Sequence, residues 1–104
     1  MTIEEAQRAV DAWVSQHGGG YWPPLSNLAR LIEEVGELAR ELNHSHGHKP
    51  KKPDEPAGDV ALELADILFV LIAIANEQQI DLDAALRKVL DKYATRDATR
   101  WPSR

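Results

Sequence analysis

The sequence predicts an all-α domain built as a bundle of four helices. Apolar residues recur at intervals of three and four in four segments of the chain, which is the spacing of one face of an α-helix. No segment alternates apolar and polar residues as a half-buried strand does, and the three connections fit a helical bundle. The 104 residues contain no cysteine, so we expect residues 1–104 to form a single domain without a disulfide framework.

Composition narrows the classes of function. A net charge of −5 disfavours a nucleic-acid partner. The longest uninterrupted apolar run, residues 67–75, has nine residues, about half of what a membrane span needs. The N-terminal residues lack the basic start and apolar stretch of a secretory signal. These observations predict a small cytoplasmic protein that binds neither membrane nor nucleic acid.

The first helix is predicted over residues 2–17. Thr2 is suited to the N-cap, with Glu5 at the capping-box position. The apolar stripe of this helix consists of Ile3, Ala6, Val10, Trp13 and Val14. Three glycines at 18–20 follow, and no Lys-Ser/Thr pair comes after them, so a flexible helix terminator is favoured over a phosphate cradle.

The second helix is predicted over residues 24–43, with a proline suited to its first turn. Its apolar face consists of Leu25, Leu28, Leu31, Ile32, Val35, Leu38, Ala39 and Leu42. Glu33, Glu34 and Glu37 flank that face. Just before the helix, Trp22 is either a core or interface aromatic residue or a platform on which a flat base stacks.

Residues 43–58 are predicted to be a loop, because they hold prolines and glycines without apolar periodicity. Histidines alternate at positions 44, 46 and 48, an arrangement that suits a soft metal but is usually incidental in a flexible loop: His44, His46 and His48. Three lysines either close over phosphates as a mobile lid or belong to a solvated linker: Lys49, Lys51 and Lys52.

The third helix, about residues 57–79, is apolar around most of its circumference. Between Val60 and Ala75 its only polar residues are Glu63 and Asp66, and Gln78 with Gln79 ends it. A four-helix monomer leaves part of such a helix uncovered, so we expect a homo-oligomer, either a dimer or a tetramer.

The fourth helix is predicted to be capped by Asp81 and to run to about residue 96. Its apolar residues are expected to pack inward: Leu82, Leu86, Val89, Leu90 and Tyr93. Basic residues recur every fourth position and form a stripe whose charge suits a phosphate chain: Lys88, Lys92, Arg96 and Arg100.

Two acidic pairs dominate the pattern. Residues three apart share a helix face, so Glu34 projects with Glu37 and Glu63 projects with Asp66. Carboxylates in apolar helices repel one another and are costly to desolvate unless a positive charge offsets them. Mg²⁺ prefers oxygen ligands, and neither pair includes the histidine or cysteine of a zinc or Glu-x-x-His di-iron site. The residues themselves therefore predict a metal site on a helical bundle.

The spacing Glu33-Glu34-x-x-Glu37 followed by Glu63-x-x-Asp66 resembles the MazG-like nucleotide pyrophosphohydrolases of the all-α NTP pyrophosphatase superfamily. Short, single-domain bacterial members are also similar in the blocks WPPLSNLARLIEEVGELARELNH, DILFVLIAIAN and DKYATRDATRW. Where such proteins often have asparagine before Thr-Arg-Asp, this chain has Ala94, which removes a polar contact and leaves the substrate specificity open.

The resemblance implies Mg²⁺-dependent, or Mn²⁺-dependent, hydrolysis of a nucleoside triphosphate between its α and β phosphates, as in clearance of the nucleotide pool. The implied metal ligands are Glu34, Glu37, Glu63 and Asp66. By the same similarity Glu33 orients or deprotonates water or completes the metal shell, so the implied catalytic residues are Glu33, Glu34 and Glu37. Substrate contacts are expected from Trp22, Lys88, Lys92 and Arg96. The rival interpretation is a non-catalytic, oligomeric regulatory module of the same fold that binds a structural cation.

Overall fold

The computed structural model describes residues 1–47, 50–54 and 58–97 of the chain. Within these ranges it contains no strand, and its helices are α1 (Ile3–Trp13), α2 (Pro24–His46), α3 (Val60–Glu77) and α4 (Leu82–Asp97). A π-helical turn, Val14–Gly18, extends α1. This confirms the all-α class and the four predicted helices. None of the described helices is long and apolar enough to cross a membrane.

The helix ends follow the local chemistry of the sequence. The capping box is confirmed: Thr2 Oγ1 accepts a hydrogen bond from the Glu5 amide at 3.1 Å, and Glu5 Oε1 accepts one from the Thr2 amide at 2.9 Å. Gly19 and Gly20 have φ angles of 71° and 103°, which side-chain-bearing residues rarely adopt, so they terminate the first helical segment. Asp81 accepts a bond from the Ala84 amide at 3.2 Å and caps α4 as predicted.

The second helix is longer than predicted, and the loop after it is shorter. His44 and His46 form the last turn of α2 instead of lying in a loop. Imidazoles are well placed there, because the C-terminal end of a helix carries partial negative charge. Of the remaining predictions in this segment, His48 and Lys49 lie outside the described residues, as does Arg100 after α4.

The four helices pack against one another in pairs. Helices α2 and α3 run antiparallel along each other, α1 packs against α3, and α4 packs against α1. The core contains Val10, Val14, Ile72 and Ala73, and Val70 of α3 is fully buried. The acidic residues therefore lie where α2 and α3 pack against each other.

A polar network joins α1 to the turn between α3 and α4. Gln7 Nε2 donates to Asn76 Oδ1 and to the Ile80 carbonyl, each at 2.9 Å, while Gln7 Oε1 accepts from the Leu82 amide at 3.1 Å. Asn76 Nδ2 donates to the Gln7 carbonyl at 2.9 Å and to the Tyr21 hydroxyl at 3.0 Å. These bonds set where α4 starts relative to α1.

Many apolar residues of α2 and α4 are exposed in the single chain, and for α4 this contradicts the predicted inward packing. Much of the apolar face of α2 points outward, with Leu25 exposed by 78% and Ile32 by 64%, and the one buried residue of that helix is the polar Asn27. The reason is that α2 turns its polar side, which carries the acids, toward α3. On α4, Leu82 packs against the core, but the other four apolar residues predicted to face inward are exposed: Leu86, Val89, Leu90 and Tyr93. Of the described helices, α4 packs mainly against α1.

Candidate functional site

Three of the predicted ligands meet in the cleft between α2 and α3. One carboxylate oxygen from each of Glu34, Glu37 and Glu63 lies within 4.8 Å of the others. Glu34 and Glu37 are one turn apart on α2, and Glu63 comes from the first turn of α3. Because the two helices are antiparallel, Glu63 is a neighbour of both Glu34 and Glu37 across the cleft, although they are far apart in sequence. We refer to these three residues as the carboxylate cluster.

The negative charges of the cluster and of the neighbouring Asp66 act on one another. Burial raises the pKa of Glu34 above its ordinary value of 4.5, and the charges of Glu37 and Asp66 raise it further. Burial also raises the pKa of Glu63, together with the charge of Glu37 and a hydrogen bond to it. The Oε2 atoms of Glu34 and Glu63 are both buried without a hydrogen-bond partner.

Such oxygens are suited to binding a cation. Buried acceptors are normally paired, and a set of carboxylate oxygens alone suits a hard divalent cation better than zinc. The residues present therefore fit a bound Mg²⁺ or Mn²⁺, since such an ion would pair with both orphan oxygens and offset the repulsion among the acids.

The other two predicted acids lie at the edge of the cluster. Asp66 is exposed and is not part of the group of three, although its charge acts on both Glu34 and Glu63. Glu33 is also exposed, and its charge acts on the neighbouring Glu34. Their roles in metal binding and in water activation stay predictions.

Toward the N-terminal end of α2, aromatic side chains line the same cleft. A cavity of about 130 Å³ is lined by Trp13, Trp22 and Phe69 together with Asn27 and Arg30. The Arg30 guanidinium lies 5.5 Å from the centre of the Trp22 ring and 5.7 Å from that of Phe69. Trp13 meets Phe69 edge to face at 5.6 Å between ring centres. We call this the aromatic pocket.

Sequence reasoning identified Trp22 as a candidate but missed Arg30, Asn27 and Phe69. The sequence did contain an indication of these residues. Positions 27, 30 and 34 are three and four residues apart, the same spacing that predicted the acidic pairs, so they share one face of the helix. Arg30 also offsets part of the negative charge at the acids, since it lowers the pKa of Glu34 against the effect of burial.

The basic residues predicted to hold phosphates are on α4, which contacts α1. Lys88, Lys92 and Arg96 are exposed, and Arg96 pairs with Asp97 at 3.0 Å and lies 4.8 Å from the centre of the Tyr93 ring. The single chain therefore does not bring these cations to the carboxylate cluster.

The two loop lysines that the structure describes have different surroundings. Lys51 Nζ lies 3.5 Å from a carboxylate oxygen of Glu41, one turn beyond Glu37 on α2, whereas Lys52 is exposed. Lys51 and Glu41 line a separate cavity of about 230 Å³ with His44. The choice between a lid over the phosphates and a solvated linker is not tested by these contacts.

The chain is similar to a known domain family and to individual proteins. The MazG nucleotide pyrophosphohydrolase domain matches residues 23–101, a range that contains every acid of the site. The chain is 46% identical over 100 residues to the protein YpjD of Bacillus subtilis (strain 168), with 96% of this chain and 90% of that protein covered. It is 28% identical over 100 residues to a dATP/dGTP diphosphohydrolase of Cyanophage S-2L, with 96% and 78% covered.

A solved structure matches the fold as well. The crystal structure of the Bacillus-conserved MazG protein, a nucleotide pyrophosphohydrolase, superposes with a TM-score of 0.78 at 43% sequence identity. The match covers 96% of this chain and 97% of that one.

Proposed function

The chain belongs to the MazG nucleotide pyrophosphohydrolase family, and from that premise we propose that it hydrolyses nucleoside triphosphates between the α and β phosphates with Mg²⁺ as cofactor. Water adds to phosphorus, the bridging P–O bond breaks, and the products are a nucleoside monophosphate and pyrophosphate. The observation that carries the proposal is the carboxylate cluster, whose two buried, unpartnered oxygens are suited to a cation rather than to packing.

In this proposal each acid has a defined task. Glu34, Glu37, Glu63 and Asp66 hold the cation, and Glu33 orients the attacking water or accepts its proton. Bound there, Mg²⁺ supplies positive charge against the phosphate oxygens and lowers the pKa of a water molecule that it carries. The packing of α2 against α3 holds Glu34, Glu37 and Glu63 together, so in this proposal the acids need little rearrangement to act on a triphosphate.

We propose further that the protein acts as a homo-oligomer that completes the site. The support is the exposed leucine face of α2, the exposed apolar residues of α4, and an apolar groove of about 500 Å³ lined by Ile3, Leu68, Leu71 and Leu86 among others. A second copy that covers these surfaces removes them from water. The same arrangement lets Lys88, Lys92 and Arg96 of one copy reach the phosphates bound at the acids of another.

Two measurements test the assembly. Light scattering should give at least twice the monomer mass of 11.6 kDa, and a clean monomer at micromolar concentration contradicts the proposal. Mixing the Glu37→Gln and Lys92→Ala variants then tests the sharing. If each site combines the acids of one copy with the lysine of the other, a mixed dimer has one site with both substitutions and one unaltered site, so activity returns. If each site lies within one copy, the activity of the mixture stays at the sum of the activities of the two variants.

The activity itself is tested by a panel of canonical, deoxy and damaged nucleoside triphosphates assayed with Mg²⁺. The name of the cyanophage relative makes dATP and dGTP the first substrates to try. Release of pyrophosphate identifies cleavage between the α and β phosphates, whereas orthophosphate indicates cleavage of the outer phosphate. If the parent protein releases pyrophosphate from no member of the panel, the enzymatic proposal fails and a non-catalytic, metal-binding regulatory bundle takes its place.

A further inference from the structure

Arg30 lies between the aromatic pocket and the carboxylate cluster, and aromatic rings rather than an ion pair hold it there. Its guanidinium lies 5.5 Å from the centre of the Trp22 ring and 5.7 Å from that of Phe69. Within the part of the chain that the structure describes, the Arg30 side chain forms no salt bridge and no hydrogen bond. The five N–H donors of this half-buried side chain are therefore available to a ligand.

Arg30 and two acids of the carboxylate cluster share one face of α2. Arg30 is four residues before Glu34, which is about one helical turn, or roughly 6 Å along the axis. Burial raises the pKa of Glu34, and the charge of Arg30 acts in the opposite direction. A ligand bound at the carboxylate cluster therefore has this cation beside it, on the side of the aromatic pocket.

The chemistry of a guanidinium points to a phosphate group. Its planar fork of N–H donors matches the oxygens of one phosphate, and such charge-assisted hydrogen bonds are about twice as strong as those between neutral groups. In the proposed function the phosphates lie at the carboxylate cluster, and the aromatic pocket marks the nucleoside side of the cleft. The phosphate nearest Arg30 is then the α-phosphate, because that is the one attached to the nucleoside.

We infer that Arg30 is a further catalytic residue, whose guanidinium donates hydrogen bonds to non-bridging oxygens of the α-phosphate. The inference rests on the proposed function and adds a residue outside the acids and the cations of α4. In the reaction, the oxygen of water bonds to the α-phosphorus, the P–O bond to the β-phosphate breaks, and pyrophosphate leaves with the bonding electrons. Arg30 stays protonated throughout and offsets the negative charge on the α-phosphate oxygens as the new bond forms.

The test compares ligands that differ only in the α-phosphate. Each deoxynucleoside monophosphate and its nucleoside are titrated into the protein with Mg²⁺ present, and dissociation constants are measured by NMR. Arg30→Gln removes the charge and keeps a polar side chain. It should weaken binding of the tightest monophosphate by about 10- to 100-fold, as expected for the loss of charge-assisted hydrogen bonds. Binding of the corresponding nucleoside and of pyrophosphate should be unchanged.

Several results overturn the inference. Equal weakening of the nucleoside and the monophosphate means that Arg30 only shapes the aromatic pocket. Equal weakening of pyrophosphate means that the side chain acts as a general positive charge and not at the α-phosphate. Unchanged monophosphate affinity in Arg30→Gln also contradicts the inference, as does a parent protein that binds every monophosphate no more tightly than its nucleoside.

Two further variants separate the hydrogen-bonding fork from its charge and from folding. Arg30→Lys keeps a positive charge beside the rings but loses the fork, so its monophosphate affinity should lie between those of the parent and Arg30→Gln. Parental affinity in Arg30→Lys contradicts the inference, and this variant carries the test if Arg30→Gln does not show the parental circular dichroism spectrum. Arg8→Gln is the matched control, because Arg8 is exposed on α1 and pairs with Glu4 at 2.8 Å, and it should bind every ligand as the parent does.

Failure of this inference is separable from failure of the proposed function. If the parent cleaves triphosphates while Arg30→Gln binds monophosphates as the parent does, only the inference about Arg30 is wrong. If no triphosphate is cleaved but the ratio of monophosphate to nucleoside affinity depends on Arg30, the phosphate contact is right and the hydrolytic proposal is wrong.

Discussion

Gln7 bonds α1 to the start of α4, and replacing it with leucine should weaken that attachment. Gln7 donates two hydrogen bonds at 2.9 Å, to Asn76 and the Ile80 carbonyl, and accepts one at 3.1 Å from the Leu82 amide at the start of α4. Leucine has a similar volume but can form none of them.

The magnitude follows from those three bonds. A typical intramolecular hydrogen bond contributes about 1 kcal/mol net, so the loss in free energy of unfolding should be about 2 to 3 kcal/mol. For a domain of this size each kcal/mol changes Tm by about 4 to 8 °C, which predicts a decrease of roughly 10 to 20 °C.

Circular dichroism melts at one fixed protein concentration measure this change. Gln16→Leu is the matched control, because Gln16 is exposed in the π-helical turn and its replacement should change stability by less than about 0.5 kcal/mol. Amide hydrogen exchange should also become faster at the first turn of α4 in Gln7→Leu alone. A Gln7→Leu variant that melts within about 2 °C of the parent would refute the reasoning, since each lost bond would then have contributed almost nothing.

Three further predictions concern the site and the polar network. Glu63→Gln should bind Mg²⁺ more weakly by calorimetry, while its metal-free form should melt no lower than the parent because repulsion in the cluster is relieved; unchanged affinity means that Glu63 is not a ligand. Burial and the hydrogen bond to Asp11 raise the pKa of Tyr21, so its stabilising contribution should be complete below pH 10.0, the ordinary pKa, and should be lost as pH rises through the higher folded value. Spectrophotometric titration locates that pKa, and Tyr21→Phe should remove this part of the pH dependence of Tm. In steady-state kinetics Glu37→Gln should abolish turnover, whereas Lys92→Ala should mainly raise KM; parental turnover in Glu37→Gln contradicts the assigned role.

Local chemistry made much of the fold predictable from sequence. The capping box at Thr2, the glycines after α1 and the cap at Asp81 each depend on a few neighbouring residues, and all three are confirmed. Helix α2 continues beyond its predicted end to His46, because nothing in the sequence stops a helix sharply at Asn43. The acids were predictable as a group because helical spacing brings Glu34 beside Glu37 without any long-range information.

The tertiary structure decided which side of each helix faces the chain's own core. By amphipathic pattern the leucines of α2 should be buried, yet Asn27 is buried and Leu25 is exposed, because α2 lies with its polar side along α3. The same pairing brings Arg30 between Trp22 and Phe69, a contact between residues far apart in sequence. A periodic sequence defines the faces of a helix, but it carries no information about which neighbour each face meets. Which neighbour each face meets depends on contacts between distant segments of the chain. The aromatic pocket could therefore not be predicted without the packing of α2 against α3.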